Sequence, residues 1–235
     1  MKILLVNPNT SKSMTHHLEE EMSRLKRPDT ELTVVSPERG PETIESAYDE
    51  AMAVPPTLEL VRKANRDGYD AIILACYSDP GLEPAKEISE IPVVGIEEAT
   101  LHMAAMLGAK FSVLTPSRHR VPSKKAHVHM RGLDYFLASV RSLDLTVAET
   151  DADPEKTKRR IIEVSRRAVE EDGAEVIILG CAGMAGYAPA IESALNIKVL
   201  DPTAVALKIA EAMVDLKLAQ SKVGLFSTPP KGVVE

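Results

Sequence analysis

The chain contains two cysteines, and each one follows a short apolar run. Cys76 ends the run "AIILAC" and Cys181 ends the run "VIILGC". Small or polar residues and then a proline follow both, as expected where a buried strand passes into a loop. Because a lone buried thiol is common but two in matched contexts are not, the pattern predicts a shared role in chemistry.

A thiol at the carboxyl end of a parallel strand is well placed for acid–base chemistry. Ligands of open parallel sheets bind at that edge, and N–H groups of the following loop and helix lower a thiol pKa. A fall from about 8.5 to about 7 leaves half of the thiol ionised at neutral pH, a change of roughly 2 kcal/mol. Two thiols on opposite faces of one carbon suit racemisation, because one removes a C–H proton and the other delivers one.

The cysteine runs belong to a regular alternation of strands and helices. Strands are predicted at 2–6, 31–36, 70–75, 91–95, 110–114, 176–180, 197–200 and 222–226, with a less regular one within 136–145. Helices are predicted to begin at the prolines 55 and 56, at Glu97, at Asp153 and at Asp201. Continuously apolar strands alternating with helices predict an α/β fold with mainly parallel sheets.

The two halves of the chain also resemble each other in order and spacing. Residues 71–116 can be laid beside residues 176–229, and both run strand, cysteine, loop, helix, short strand, helix. This order indicates an internal duplication. We therefore predict two pseudo-symmetric lobes, 1–97 plus 213–235 and 98–212, each with a parallel sheet flanked by helices. The active site is expected in the cleft between the lobes, with one cysteine on either side.

Four motifs support a more specific comparison: "NPNTS" at 7–11, "GPETIESAYDEA" at 40–51, "ACYSDPGL" at 75–82 and "GCAGM" at 180–184. With these, the chain resembles the hydantoin racemase branch of the aspartate/glutamate/hydantoin racemase superfamily over nearly its whole length. The resemblance implies a cofactor-independent enzyme with Cys76 and Cys181 as its two bases. It also implies that substrate ring groups are held by a set of loop residues: Asn9, Tyr77, Ser78, Thr115, Ala182 and Gly183.

The residues after the cysteines favour one substrate class. Amino-acid racemases of the superfamily carry hydroxyl side chains there, which help to bind the substrate carboxylate, whereas this chain has "YS" and "AG". The difference favours a neutral cyclic ureide, namely a 5-substituted hydantoin, with allantoin as a candidate of the same type. Two alternatives stay open: an aspartate- or glutamate-type amino-acid racemase, and a two-lobe protein that binds a small molecule without catalysis.

The composition of the chain limits which binding partners and which cellular location we expect. A net charge of −7 argues against nonspecific binding to nucleic acid or anionic membranes. No apolar stretch approaches the roughly 20 residues that span a bilayer, and Pro8 interrupts the first apolar run too early for a signal peptide. We expect a cytoplasmic homo-oligomer with reduced cysteines. No nucleotide-binding glycine motif occurs, and we expect no cofactor and no metal.

Two further segments have a structural interpretation as well as a functional one. The basic stretch 117–132 is predicted to be a solvated turn and helix rather than an anion or metal site using His127 and His129. Asn9 lies in a stretch typical of a strand-ending turn, and a turn role and a substrate contact are both open there.

Overall fold

The protein is described by a computed structural model that covers residues 1–233. Its strands are β1 Lys2–Val6, β2 Glu31–Val35, β3 Ala71–Leu74, β4 Val93–Gly95, β5 Phe111–Thr115, β6 Leu137–Ser142, β7 Val176–Leu179 and β8 Lys198–Leu200. Its α-helices are α1 Lys12–Leu25, α2 Ala47–Arg66, α3 Leu82–Ile88, α4 Ile96–Leu107, α5 Val121–Met130, α6 Val147–Ala152, α7 Pro154–Asp172, α8 Ala188–Leu195 and α9 Pro202–Asp215. None of the described helices is long and apolar enough to cross a membrane.

The strands form two parallel sheets with the same internal order. One sheet runs β2-β1-β3-β4 and the other β6-β5-β7-β8, and every pair in both is parallel. The chain divides into two compact units, Met1–Gly95 with the residues from Ala206 onward, and Ile96–Val205. The predicted α/β fold with two similar parallel sheets is confirmed, and each cysteine follows an inner strand of its sheet.

The strands that precede the cysteines are buried along their whole length. All four residues of β3 and all four of β7 are buried, in agreement with their continuously apolar sequences. β3 packs in a core that includes Leu4, Val6 and Val61, and β7 packs in one that includes Leu114 and Ile161. Because burying a Leu, Ile or Val side chain contributes about 1.5–3 kcal/mol, both strand ends are firmly held.

Helix α2 begins eight residues earlier than the prolines that were predicted to start it. Ser46 caps the helix by accepting a hydrogen bond from Asp49 N at 3.1 Å, and Asp49 accepts one from Ser46 N at 2.9 Å. Pro55 and Pro56 therefore lie inside the helix. The predicted start was wrong because this reciprocal cap stabilises the first turns in spite of two missing N–H donors.

The strand predicted at 222–226 is also wrong, since these residues form turns. Val223 and Leu225 are 90% and 70% exposed, so the apolar pattern does not reflect burial. The side chain of Gln220, just before this segment, contacts strand β4 instead. Gln220 bonds both the N–H and the carbonyl of Val93, at 2.9 and 3.0 Å, and thereby occupies the edge of strand β4.

Candidate active site

Two loops carry the cysteines: cysteine loop 1, residues 75–81, and cysteine loop 2, residues 180–187. Cys76 and Cys181 each lie two residues beyond the end of their strand, β3 and β7. Both side chains are half-buried, and neither cysteine forms a disulfide. Because both strands lie between two parallel neighbours, both loops emerge at the carboxyl edge where ligands of such sheets bind.

Cysteine loop 1 folds back on its own cysteine. The N–H groups of Ser78 and Asp79 both donate to the Cys76 carbonyl oxygen, at 2.8 and 2.9 Å. The turn brings the Ser78 hydroxyl oxygen 3.5 Å from the Cys76 sulfur, while the Tyr77 side chain is buried. A hydroxyl that donates to a thiolate favours the ionised form, so Ser78 is positioned to assist Cys76.

Cysteine loop 2 presents backbone rather than side-chain polar groups. Residues Ala182–Met184 form one turn of 3₁₀ helix, closed by a 3.0 Å hydrogen bond from Met184 N to the Cys181 carbonyl oxygen. Ala182 and Gly183 are buried and directly follow Cys181, so their N–H groups lie beside the cysteine. Two adjacent N–H donors of this kind suit an anion that develops on a bound substrate.

Close packing against β5 explains why cysteine loop 2 starts with a glycine, Gly180. A Cβ at this position would clash with the carbonyl oxygen of Leu114 and lie 2.9 Å from a methyl carbon of Val113. The Gly180 N–H in fact donates to that same Leu114 oxygen at 2.7 Å. The residue before Cys181 is therefore pressed against β5, and only glycine fits without moving a strand.

The remaining predicted site residues lie at the same sheet edges as the cysteines. Asn9 follows β1, which is joined to β3 by a 2.8 Å hydrogen bond from Ala75 N to Val6 O. Thr115 is the buried last residue of β5, the neighbour of β7. Asn9, Tyr77 and Ser78 thus lie at the same sheet edge as Cys76, and Thr115, Ala182 and Gly183 lie at the same sheet edge as Cys181.

The Asn9 side chain takes part in a turn. Its carbonyl oxygen accepts hydrogen bonds from Ser11 N at 2.9 Å and from the Asn7 side-chain amide at 2.8 Å. Ser11 in turn caps α1 by accepting from Met14 N. The turn role of Asn9 is present in the structure, and its contact with a substrate stays a prediction.

The basic stretch 117–132 is less solvated than predicted. Lys124 and Glu97 are 4% and 1% exposed and bond each other at 3.1 Å, while His127 donates to the other Glu97 oxygen at 2.7 Å. Arg131 lies 4.0 Å from the same carboxylate. His129 instead pairs with Asp134 on the surface. The predicted turn and helix are present, but the predicted solvation is wrong for Lys124, because the carboxylate that these cations share comes from α4, outside the stretch itself.

The electrostatics of this cluster favour the ionised carboxylate. Burial alone pushes the pKa of Glu97 upward, but Lys124, His127 and Arg131 together outweigh it and hold the pKa below its ordinary value. We call Glu97, Lys124, His127 and Arg131 the buried charge cluster. Its members take no part in the chemistry proposed below.

Sequence reasoning assigned no role in the site to two aspartates that contact the cysteine loops or the strands beside them. Asp79 lies within cysteine loop 1, and Asp201 follows β8 and accepts a hydrogen bond from Gly186 N in cysteine loop 2. Asp201 was recognised only as the start of a helix. Its contact with Gly186 joins residues 15 positions apart, and no local pattern signals it.

Comparison with known proteins identifies the family of the chain. The family model Asp/Glu/Hydantoin racemase matches residues 3–210. The chain is 39% identical over 231 residues to a hydantoin racemase of Pseudomonas sp. (strain NS671), covering 98% of this chain and 93% of that protein.

Two solved structures are also similar along the whole chain. An allantoin racemase from Klebsiella pneumoniae superposes with a TM-score of 0.96 at 34% identity, covering 100% of this chain and 96% of that one. An allantoin racemase from Pseudomonas fluorescens superposes with a TM-score of 0.94 at 36% identity, covering 100% of both chains. The predicted resemblance is confirmed, and the chain belongs to the Asp/Glu/Hydantoin racemase family.

Proposed function

We propose that this protein is a cofactor-independent racemase of 5-substituted hydantoins, in which Cys76 and Cys181 act on opposite faces of the C5 carbon. The observation that carries the proposal is the equivalent position of the two thiols, each just beyond an inner strand of its sheet. Racemisation needs an acid–base group on each face of one carbon, and a duplicated fold supplies two matched groups.

The proposed reaction transfers two protons and needs no other reactant. The thiolate of one cysteine takes the C5 proton, and the electron pair of the C–H bond moves into the ring as an enolate-like anion. The thiol of the other cysteine then protonates the opposite face of C5. The roles of thiol and thiolate are thereby exchanged, and proton exchange with water or the reverse reaction restores them.

The loops offer groups that would stabilise this anion and the thiolate. The N–H groups of Ala182 and Gly183 would donate to a ring oxygen as negative charge develops on it, and losing one such donor typically costs about 10²–10³ in rate. The Ser78 hydroxyl, 3.5 Å from the Cys76 sulfur, would donate to the thiolate. Asn9, Tyr77 and Thr115 are proposed to contact the substrate ring.

The proposed substrate class rests on what cysteine loop 2 does not offer. Ala182 and Gly183 carry no hydroxyl or charged side chain for a substrate carboxylate, which favours a neutral cyclic ureide. A hydantoin also loses its C5 proton more readily than an amino acid loses its Cα proton, because the ring delocalises the anion. Allantoin belongs to the same chemical type, and two similar structures are described as allantoin racemases.

Solvent deuterium exchange tests the proposed function directly. The purified protein, incubated in D₂O with single enantiomers of 5-substituted hydantoins and of allantoin, is expected to replace the C5 proton while the optical rotation decays to zero. The rate should be unchanged by EDTA, and heat-denatured protein measures the uncatalysed background. Exchange confined to the Cα of aspartate or glutamate would instead identify an amino-acid racemase, and tight binding without exchange would identify a binding protein.

The homo-oligomer and the cytoplasmic location inferred from the sequence stay predictions. Light scattering of the purified protein gives the mass of the particle in solution. A mass near the 25.5 kDa of one chain would contradict the predicted homo-oligomer.

Gly180→Ala is expected to reduce both stability and racemisation. The new methyl group would push β7 away from Leu114, and such overpacking costs about 1–3 kcal/mol. It would also shift Cys181, the next residue. Urea unfolding measures the stability, and C5 exchange measures the activity.

Gly68→Ala is the matched control for this substitution. Gly68 has a positive φ of +72°, so alanine is strained there, but the new methyl group would meet no atom within 4 Å. This variant should lose stability and keep its activity per folded molecule. A Gly180→Ala protein as active as the Gly68→Ala protein would contradict the assigned role of Gly180.

A further inference from the structure

One carboxylate joins cysteine loop 2 to the start of helix α9. Asp201 is 7% exposed and directly follows β8. One of its oxygens accepts a hydrogen bond from Gly186 N at 3.0 Å, in cysteine loop 2. The other accepts from Thr203 N at 2.9 Å and from Ala204 N at 3.3 Å, in the first turn of the helix. The loop is thus held against the end of the strand beside β7.

Cysteine loop 1 is held by a contact of a related kind. Asp79 is 6% exposed and has φ +46°, in the left-handed region that few residues other than glycine adopt. Its carboxyl group packs directly onto Gly95, the last residue of β4. A Cβ built on Gly95 would lie 2.5–2.6 Å from three atoms of that carboxyl group, so Gly95 makes room for the Asp79 side chain.

The two contacts are reciprocal. Strands β4 and β8 hold the same place in their sheets, next to the cysteine strand. In the first unit the loop supplies the aspartate and the strand end supplies the glycine, Asp79 and Gly95. In the second unit the strand end supplies the aspartate and the loop supplies the glycine, Asp201 and Gly186. Each cysteine loop is therefore joined to the neighbouring strand end by an aspartate and a glycine, through packing in the first unit and through a hydrogen bond in the second.

We infer that Asp79 and Asp201 are positioning residues, each fixing the direction from which one cysteine approaches C5. Burying a carboxylate is unfavourable unless the surrounding groups compensate for the lost water, so each contact is maintained against a cost. A loop that drifted by about 1 Å would lose on the order of 100-fold in rate, because proton transfer requires close alignment. The inference rests on the proposed function for its catalytic consequence, whereas the positioning itself can be tested without a substrate.

Asparagine separates the loop contact of Asp201 from its two bonds to the start of α9. In Asp201→Asn, the amide oxygen can still accept from Thr203 N and Ala204 N, but the amide NH₂ then faces the Gly186 N–H, donor against donor. The helix cap is kept and the tie to cysteine loop 2 is lost. Asp79→Asn keeps the size and the tolerance of a positive φ while it removes the charge.

The first test measures each thiol by itself. Iodoacetamide is added to the folded protein, and the alkylation of Cys76 and of Cys181 is followed by peptide mass spectrometry. Asp201→Asn is expected to change the rate at Cys181 by on the order of tenfold and leave Cys76 unchanged, and Asp79→Asn should do the reverse. Equal effects on both cysteines, or none, would overturn the inference whether or not the protein is a racemase.

The second test measures the catalytic consequence. The rate of racemisation must fall equally in both directions, because the two enantiomers have equal free energy. The rate of deuterium entry at C5 can differ between the two enantiomers. Asp201→Asn should slow C5 exchange by at least about tenfold for the enantiomer from which Cys181 takes the proton, and much less for the other. That enantiomer is the one whose C5 exchange is lost in Cys181→Ser. Asp79→Asn should instead slow exchange of the other enantiomer, the one whose exchange is lost in Cys76→Ser.

Glu211→Gln controls for a general loss of stability. Glu211 is a buried carboxylate on α9 that accepts from Arg27 N at 2.8 Å and from the Thr30 hydroxyl at 2.9 Å, and it contacts neither cysteine loop among the contacts described. This variant should lower Tm without making exchange selective for one enantiomer. If the wild-type protein exchanges no hydantoin proton, the proposed function is wrong. If the wild-type protein exchanges normally but the Asp79→Asn and Asp201→Asn variants slow exchange equally for both enantiomers, only the positioning roles are wrong.

Discussion

Replacing Cys76 or Cys181 with serine, one at a time, is expected to lower hydantoin racemisation by about 10²–10⁴-fold. A serine hydroxyl is not ionised at neutral pH and cannot take the C5 proton, so one face of the substrate loses its base. Each single variant should nevertheless still exchange the C5 proton of one enantiomer, because the remaining thiolate works on its own face. The two variants should therefore prefer opposite enantiomers.

Exchange rates measured for each enantiomer separately distinguish this mechanism from others. The double variant should show neither racemisation nor exchange, and thermal unfolding should show that all three proteins remain folded. Substrate should also slow the alkylation of both cysteines in the wild-type protein. Full racemisation by both single variants would rule out the two-thiol mechanism, and loss of exchange for both enantiomers in one variant would point to a single base.

Glu97→Gln is expected to destabilise the protein by about 3–5 kcal/mol, which is a large share of the stability of an ordinary domain. The substitution leaves the buried Lys124 without its 3.1 Å partner and leaves His127 and Arg131 facing an uncharged amide. Lys124→Met should cost less, because His127 and Arg131 still face the carboxylate. Urea unfolding at neutral pH gives both values.

An exposed ion pair provides the control for the loss of stability in Glu97→Gln. Arg39 and Glu59 pair on the surface with side chains 71% and 46% exposed, and Glu59→Gln should change stability by no more than about 1 kcal/mol. The double variant Glu97→Gln/Lys124→Met should lose less stability than the sum of the single losses, since contacting residues are not additive. Strict additivity would show that the buried charge cluster does not act as a unit.

The buried charge cluster also predicts how stability depends on pH. The pKa of Glu97 is lowered in the folded protein, so its ionised form is favoured there and the unfolded chain binds a proton more readily. Its stabilising effect is fully present above the ordinary pKa of about 4.3 and is lost as the pH falls through the folded value. The Glu97→Gln protein should therefore lose less stability than wild type between neutral and strongly acidic pH.

Much of the fold and both cysteine positions could be predicted because the relevant signals are local. Strands β3 and β7 are short apolar runs that a loop follows, and Asp153 with Gly173 marks the ends of α7. The start of α2 was missed because a capping box at Ser46 outweighs two prolines whose usual meaning is a helix start. The turns at 222–226 were missed because an apolar run does not show whether anything covers it.

The long-range contacts of the buried charge cluster and of cysteine loop 1 could not be predicted because they join distant parts of the chain. Glu97 and Lys124 are 27 residues apart, and a basic stretch viewed alone resembles a solvated surface. Gly95 and Asp79 meet only because β4 pairs with β3. Physical constraints of this kind depend on the register of the sheet, which the amino-acid pattern of either segment does not contain.

The attachment of Gln220 to Val93 has a practical consequence for anyone who alters the end of this chain. Val93 begins the three-residue strand that ends at Gly95, where Asp79 rests beside the turn that carries the thiol at position 76. Shortening the protein to fewer than 220 residues would leave the Val93 amide and carbonyl open to pairing with another molecule. A deletion far along the polypeptide would then affect Cys76 through Val93, Gly95 and Asp79.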